Sequence, residues 1–135
     1  MSSNWLQPFR FILVGFINTF IGLMIIFAAK GIMGIDDFKS NLIGYSCGLL
    51  ISFFLNKKWT FHHDGRVFPT AMRFLLAFLV SYMANLMTVY WVRDDIGLNS
   101  YLAQAIGIVP YTFIFYVASR YYVFRENRDP EMIKL

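Results

Sequence analysis

Charge is scarce in this chain, and long stretches have none at all. No Asp, Glu, Lys or Arg falls between Arg10 and Lys30, Lys39 and Lys57, Arg73 and Arg93, or Asp95 and Arg120. Charged residues make up 15% of the 135 positions and hydrophobic ones 58%, against about 25% and about 45–50% in soluble domains. A soluble helical bundle with four such runs would have too little polar surface to cover itself. The lone Cys47 excludes an intramolecular disulfide. The runs also lack histidine, so no carboxylate, lysine or imidazole sits at mid-membrane depth, which argues against a proton-coupled antiporter. No nucleophile–base pair or glycine-rich phosphate loop occurs, so no catalytic residue and no cofactor are expected. His62-His63 is an adjacent pair, about 100° apart on a helix, with no cysteine near enough to complete a metal site.

What remains is apolar sequence in membrane-sized lengths. Each run approaches the roughly 20 residues that cross a hydrocarbon layer about 30 Å thick. The pattern predicts an all-α membrane protein with four transmembrane helices, near 10–30, 40–57, 73–93 and 101–120. The second is the shortest, with Lys39 and Lys57 snorkelling at its ends. The first run exceeds the 7–15 residues of a signal-peptide core and is expected to stay in the protein.

The basic residues set an orientation. Arg10, Lys57, Lys58, Arg66, Arg73, Arg120, Arg125, Arg128 and Lys134 fall on one side, and only Lys30, Lys39 and Arg93 on the other. Positive-inside places both termini in the cytoplasm, and the cytoplasmic (inner) membrane is the expected location. The outer loops carry Asp36-Asp37 and Asp94-Asp95, read as solvated turns. The net charge of +4 is explained by anionic membrane lipids before nucleic acid, and no nucleic-acid partner is expected. The tail from Arg125 to Leu135, with Asp129-Pro130, is expected to be frayed.

A shift of about 63 residues lays the chain on itself. It brings Arg10-Phe11 onto Arg73-Phe74, Lys30 onto Arg93, Gly34 onto Gly97, Ile43-Gly44 onto Ile106-Gly107, and Asn56-Lys57 onto Ser119-Arg120. The reading is one domain over 1–135, built from repeat A (about 7–61) and repeat B (about 70–124). Each repeat holds two spans, so the hairpins are tandem and parallel in orientation. A repeat axis along the membrane normal would gather Arg10, Lys57, Arg73 and Arg120 into a cationic ring. Separate membrane-edge anchors are the plainer alternative.

Polar residues inside spans are expected to face protein or a wet cavity. Asn18 and Thr19 lie in the first span; Ser81, Tyr82 and Asn85 lie in the third. Gly44, Gly48, Ser52 and Asn56 recur every four residues and share a face suited to close helix packing. Pro110 is expected to kink the fourth span near Ile106. At the end of the second span, Trp59 reads as an aromatic-belt residue, and Lys57 and Lys58 lie at phosphate depth beside Asn56.

These motifs resemble the GtrA-like family of small four-span membrane proteins. The resemblance is carried by Arg10-Phe11, Val14-Gly15, Thr19, Phe54-Leu55-Asn56-Lys57-Lys58-Trp59-Thr60-Phe61, Arg73-Phe74 and Ser119-Arg120-Tyr121-Tyr122-Val123-Phe124. It covers roughly residues 10–124. Lys57 stands where arginine is common, and Ser119 and Tyr122 where asparagine and tryptophan are common. The resemblance implies translocation, or carriage, of an undecaprenyl- or other polyprenyl-phosphate-linked sugar for cell-surface polysaccharide synthesis. The alternative is a non-transporting subunit that orients a polyprenyl-phosphate glycosyltransferase, and that enzyme is the expected protein partner. On the first reading Arg10, Lys57, Lys58, Arg73 and Arg120 hold the lipid phosphate. Asn18, Asn56 and Asn85 meet sugar hydroxyls, and Trp59 stacks on the ring. A homo-oligomer is expected, because two hairpins make a thin bundle for a large headgroup.

Overall fold

The computed structural model describes residues 4–125, so Arg128, Lys134 and the Asp129-Pro130 tail lie outside the described residues. All regular structure among the described residues is helical. A short 3-10 turn, Asn4–Leu6, leads into α1 (Gln7–Gly31), followed by α2 (Asp37–Leu55), α3 (Val67–Tyr90) and α4 (Ser100–Ala118). The last three helices each run on into a π-helical turn: Asn56–Thr60, Trp91–Ile96 and Ser119–Val123. The continuous helices Gln7–Gly31, Asp37–Thr60, Val67–Ile96 and Ser100–Val123 are long and apolar enough to cross a membrane. Each expected span lies inside one of them. They overrun the charge-free runs because a lysine or arginine at a helix end keeps its head at the interface.

Side chains are distributed as lipid requires. Phe16, Phe20, Phe27, Tyr101 and Phe113 are exposed, whereas Ser40, Gly44, Gly48, Ser52, Asn56 and Thr60, every fourth residue of one helix, are buried. Apolar side chains gain nothing by leaving lipid for protein, so helix contacts depend on close packing and on partners for polar groups. Hydroxyls can also bond back along their own helices, as in Thr19 Oγ1 to the Gly15 carbonyl (3.0 Å) and the buried Ser81 Oγ to that of Ala77 (2.7 Å). α4 continues through Pro110 from Ser100 to Ala118.

The chain divides into two compact units, one up to His62 and one from His63. In the first, α1 turns into α2 at Gly34, whose φ of +66° suits glycine. The Ile35 N–H donates to the Ala29 carbonyl (3.1 Å), and Asp36 caps α2 by accepting from the Lys39 N–H (2.9 Å). Lys30 pairs with Asp37 at 2.5 Å. Asp36 is thus a helix cap rather than a plain solvated turn residue. Further along the hairpin Gly44 meets Gly22 and Ile26, and Gly48 meets Asn18.

The second unit repeats these details. Gly97 has a φ of +83°, the Leu98 N–H donates to the Val92 carbonyl (3.2 Å), and Asn99 caps α4 through the Leu102 N–H (2.9 Å). Gly107 packs against Val89 and Asn85. Every one of these features lies 63 residues after its counterpart. The units differ farther along the seam. Where the first has Gly15, Thr19, Gly48 and Ser52, the second has Phe78, Tyr82, Tyr111 and Phe115. These form an aromatic cluster, with Phe78 stacked on Tyr82 (5.9 Å between centroids) and Phe115 at 5.6 Å from Tyr111 and 5.0 Å from Phe74. Beyond this shared glycine contact, the first seam is lined by small residues and the second by rings.

Candidate functional site

The basic end of the first hairpin is built on the π turn Asn56–Thr60, closed by the Phe61 N–H on the Asn56 carbonyl five residues back (2.9 Å). Such turns are rare and recur at functional sites. Asn56 anchors it from inside: Nδ2 donates to Ser52 Oγ (3.2 Å), and Oδ1 accepts from Thr60 Oγ1 (2.9 Å). Ser52, Asn56 and Thr60 thus form a ladder at i, i+4 spacing, and Asn56 is only 1% exposed. Its amide is committed within the hairpin.

A helix C-terminus leaves carbonyls without intrahelical partners. Here Arg10 of α1 supplies one, donating from Nη1 to the Trp59 carbonyl at 3.1 Å. The same Nη1 lies 3.2 Å from His62 Nε2, a contact that needs the neutral imidazole with Nε2 as acceptor. The guanidinium carbon stands 5.3 Å from the centre of the half-exposed Trp59 ring. Phe11 meets Phe61 edge-on beside it (6.3 Å). His62 holds this position at a φ of +48°, the left-handed region, which costs a non-glycine residue about 1–2 kcal/mol. Lys57 is buried in the turn and Lys58 exposed on it.

The second hairpin ends in the π turn Ser119–Val123, closed by the Phe124 N–H on the Ser119 carbonyl (2.8 Å). Arg73 of α3 donates from Nη2 to the Val123 carbonyl (3.2 Å) and reaches Thr70 Oγ1 (3.5 Å), while its Nε is buried without a partner among the described residues. The ladder does not recur, because Phe115, Ser119 and Val123 replace Ser52, Asn56 and Thr60. Ser119 Oγ is consequently buried without a hydrogen-bond partner among the described residues. Arg120 donates to the Tyr116 hydroxyl (3.3 Å) and lies over the Tyr121 ring (5.2 Å). His63 is buried edge-on to Phe124 (5.7 Å).

The family model described as GtrA/DPMS, transmembrane domain, matches residues 10–124. The chain belongs to this family. It is also similar to the bactoprenol-linked glucose translocase of Shigella flexneri, 24% identical over 118 residues that cover 87% of this chain and 90% of that protein. The GtrA/DPMS match begins at Arg10 and ends at Phe124, so its limits are the arginine of the first hairpin end and the residue that closes the second π turn.

Within this GtrA/DPMS domain, the residues singled out in the sequence occupy different depths. Arg10 and Trp59 touch, and Lys57 and Lys58 share their turn. Asn18 lies at Gly48, about 12 Å along α2 from Asn56 at 1.5 Å per residue. Asn85 lies at Gly107, about 20 Å along α4 from Arg120. His62, Thr60, Thr70 and Tyr116 were missed. In the sequence His62 reads only as a poor metal ligand, although it lies just past the Trp59-Thr60-Phe61 motif, and the fold brings it to the same arginine.

Proposed function

We propose that this chain carries a polyprenyl-phosphate-linked sugar from one leaflet of the cytoplasmic membrane to the other, as a translocase rather than an enzyme. The observation that carries this reading is the similarity to a bactoprenol-linked glucose translocase along nearly the whole of both chains. The chemistry of the hairpin ends supports it. Isolated ion pairs in water are worth about 0–1 kcal/mol, so a phosphodiester needs several cations or a bidentate arginine at the interface. Arg10, Lys57 and Lys58 supply these at the end of the first hairpin, where Trp59 offers a ring face to the sugar, and Arg120 is the cation assigned to the end of the second. Asn18 and Asn85, at the small-residue contacts of the two seams, are the amides assigned to its hydroxyls. Asn56 acts by shaping the π turn.

Both termini face the cytoplasm on this reading, where the cargo is made. The enzyme that attaches the sugar, a polyprenyl-phosphate glycosyltransferase, is the expected protein partner, and more than one copy of the chain assembles around the headgroup. The test is transfer of a fluorescent polyprenyl-phosphate sugar between leaflets of liposomes holding the purified chain. Transfer faster than in protein-free liposomes is expected. No acceleration by the chain alone, together with a rise in glycosyltransferase activity when it is added, would instead assign it to the enzyme as an accessory subunit.

A further inference from the structure

The leading arginines of the two hairpins present opposite edges. Arg10 spends Nη1 on the Trp59 carbonyl and His62, and its π face on the Trp59 ring. Its Nε and Nη2, whose N–H groups point the same way and match two oxygens of a phosphate, make no hydrogen bond among the described residues. Arg73, at the corresponding position 63 residues on, spends that edge on protein: Nη2 goes to Val123 and Thr70, and Nε is buried.

We propose that Arg10 is the residue that reads the phosphate of the lipid, through its Nε/Nη2 edge, with His62 and Trp59 as positioning residues and Arg73 as a structural staple. This rests on the phosphate-lipid reading above and divides the basic set by role. A guanidinium on a flexible stem loses rotamer freedom when it grips a ligand; one already pinned at Nη1 and over a ring has less to lose. The left-handed backbone of His62 fits the same account. A non-glycine residue held in that region beside a ligand clamp is a position where local strain serves geometry.

The experiment measures binding of a fluorescent, sugar-free polyprenyl phosphate to the full chain in phosphatidylcholine nanodiscs, with thermal stability read in parallel. Arg10→Lys replaces a bidentate fork with a point charge and should weaken binding by about tenfold or more. Arg73→Lys should bind within about twofold of the parent but melt earlier, because the buried staple is lost. His62→Gly relieves the backbone while removing the acceptor, so it should weaken binding severalfold with no loss of stability. His62→Asn tolerates the left-handed region, restores an acceptor and should recover most of the affinity. Equal losses in Arg10→Lys and Arg73→Lys, or parent-like binding in Arg10→Lys, would overturn the assignment while leaving the cargo reading intact. Should Arg10→Lys not fold, parent-like binding by His62→Gly overturns it instead. If the parent chain binds polyprenyl phosphate no better than phosphatidylglycerol, the cargo reading fails and this assignment with it.

Discussion

Gly44 and Gly22 meet so closely that a Cβ at position 44 would lie 2.9 Å from the Gly22 carbonyl oxygen, as well as running into the Ile26 side chain. Gly15, on the same α1, has no described atom outside its own stretch of helix within 4 Å of the same hypothetical atom. Gly44→Ala must therefore push α1 from α2, at a cost of about 1–3 kcal/mol. Gly15→Ala should be neutral or stabilising by up to about 1 kcal/mol, the helix-propensity gain. Denaturation of the two variants in mixed micelles by SDS checks the contrast.

The amide ladder makes a second contrast between matching positions. Asn56→Ala leaves the buried Ser52 and Thr60 hydroxyls without their partner, which should cost about 1–3 kcal/mol. Ser119→Ala removes an oxygen that has no partner among the described residues, so stability should hold or rise by about 1 kcal/mol. The same SDS titration reads both, and a larger loss from Ser119→Ala would contradict the ladder account.

Much of the fold was legible from the sequence, for a physical reason. Charge cannot lie deep in hydrocarbon, so the gaps between Arg10 and Lys30 and their counterparts mark the spans directly. The stripe Gly44, Gly48, Ser52, Asn56 was readable because close helix contact needs small residues at that spacing, and all four are buried. The contacts at the hairpin ends were less legible. Positive-inside treats Arg10 and Arg73 alike, and only the direction of each guanidinium separates them. Asn56 read as a ligand contact because an amide near an interface suits a sugar; its burial between Ser52 and Thr60 depends on a π turn that spacing does not announce. Asp36 read as a solvated loop residue because an N-cap is recognised by the N–H three residues on, not by exposure.

The proposed orientation, with both termini in the cytoplasm, rests on the basic residues and is open to direct labelling. In a Cys47→Ser background, a thiol introduced by Asp95→Cys should react with a membrane-impermeant maleimide on intact cells. One introduced by Asp64→Cys, between α2 and α3, should react only after permeabilisation. The reverse pattern would invert the topology and place Arg10, Lys57 and Lys58 at the wrong leaflet for a cytoplasmic cargo.

The most direct measurement is mass spectrometry of lipid retained by the chain through purification, compared with an Arg10→Gln/Lys58→Gln double variant. The account predicts a polyprenyl-phosphate-linked sugar on the parent protein, reduced by about tenfold or more in the variant, the ratio that 1.4 kcal/mol of lost binding gives. Bulk membrane phospholipid alone, in equal amount on both proteins, would contradict it.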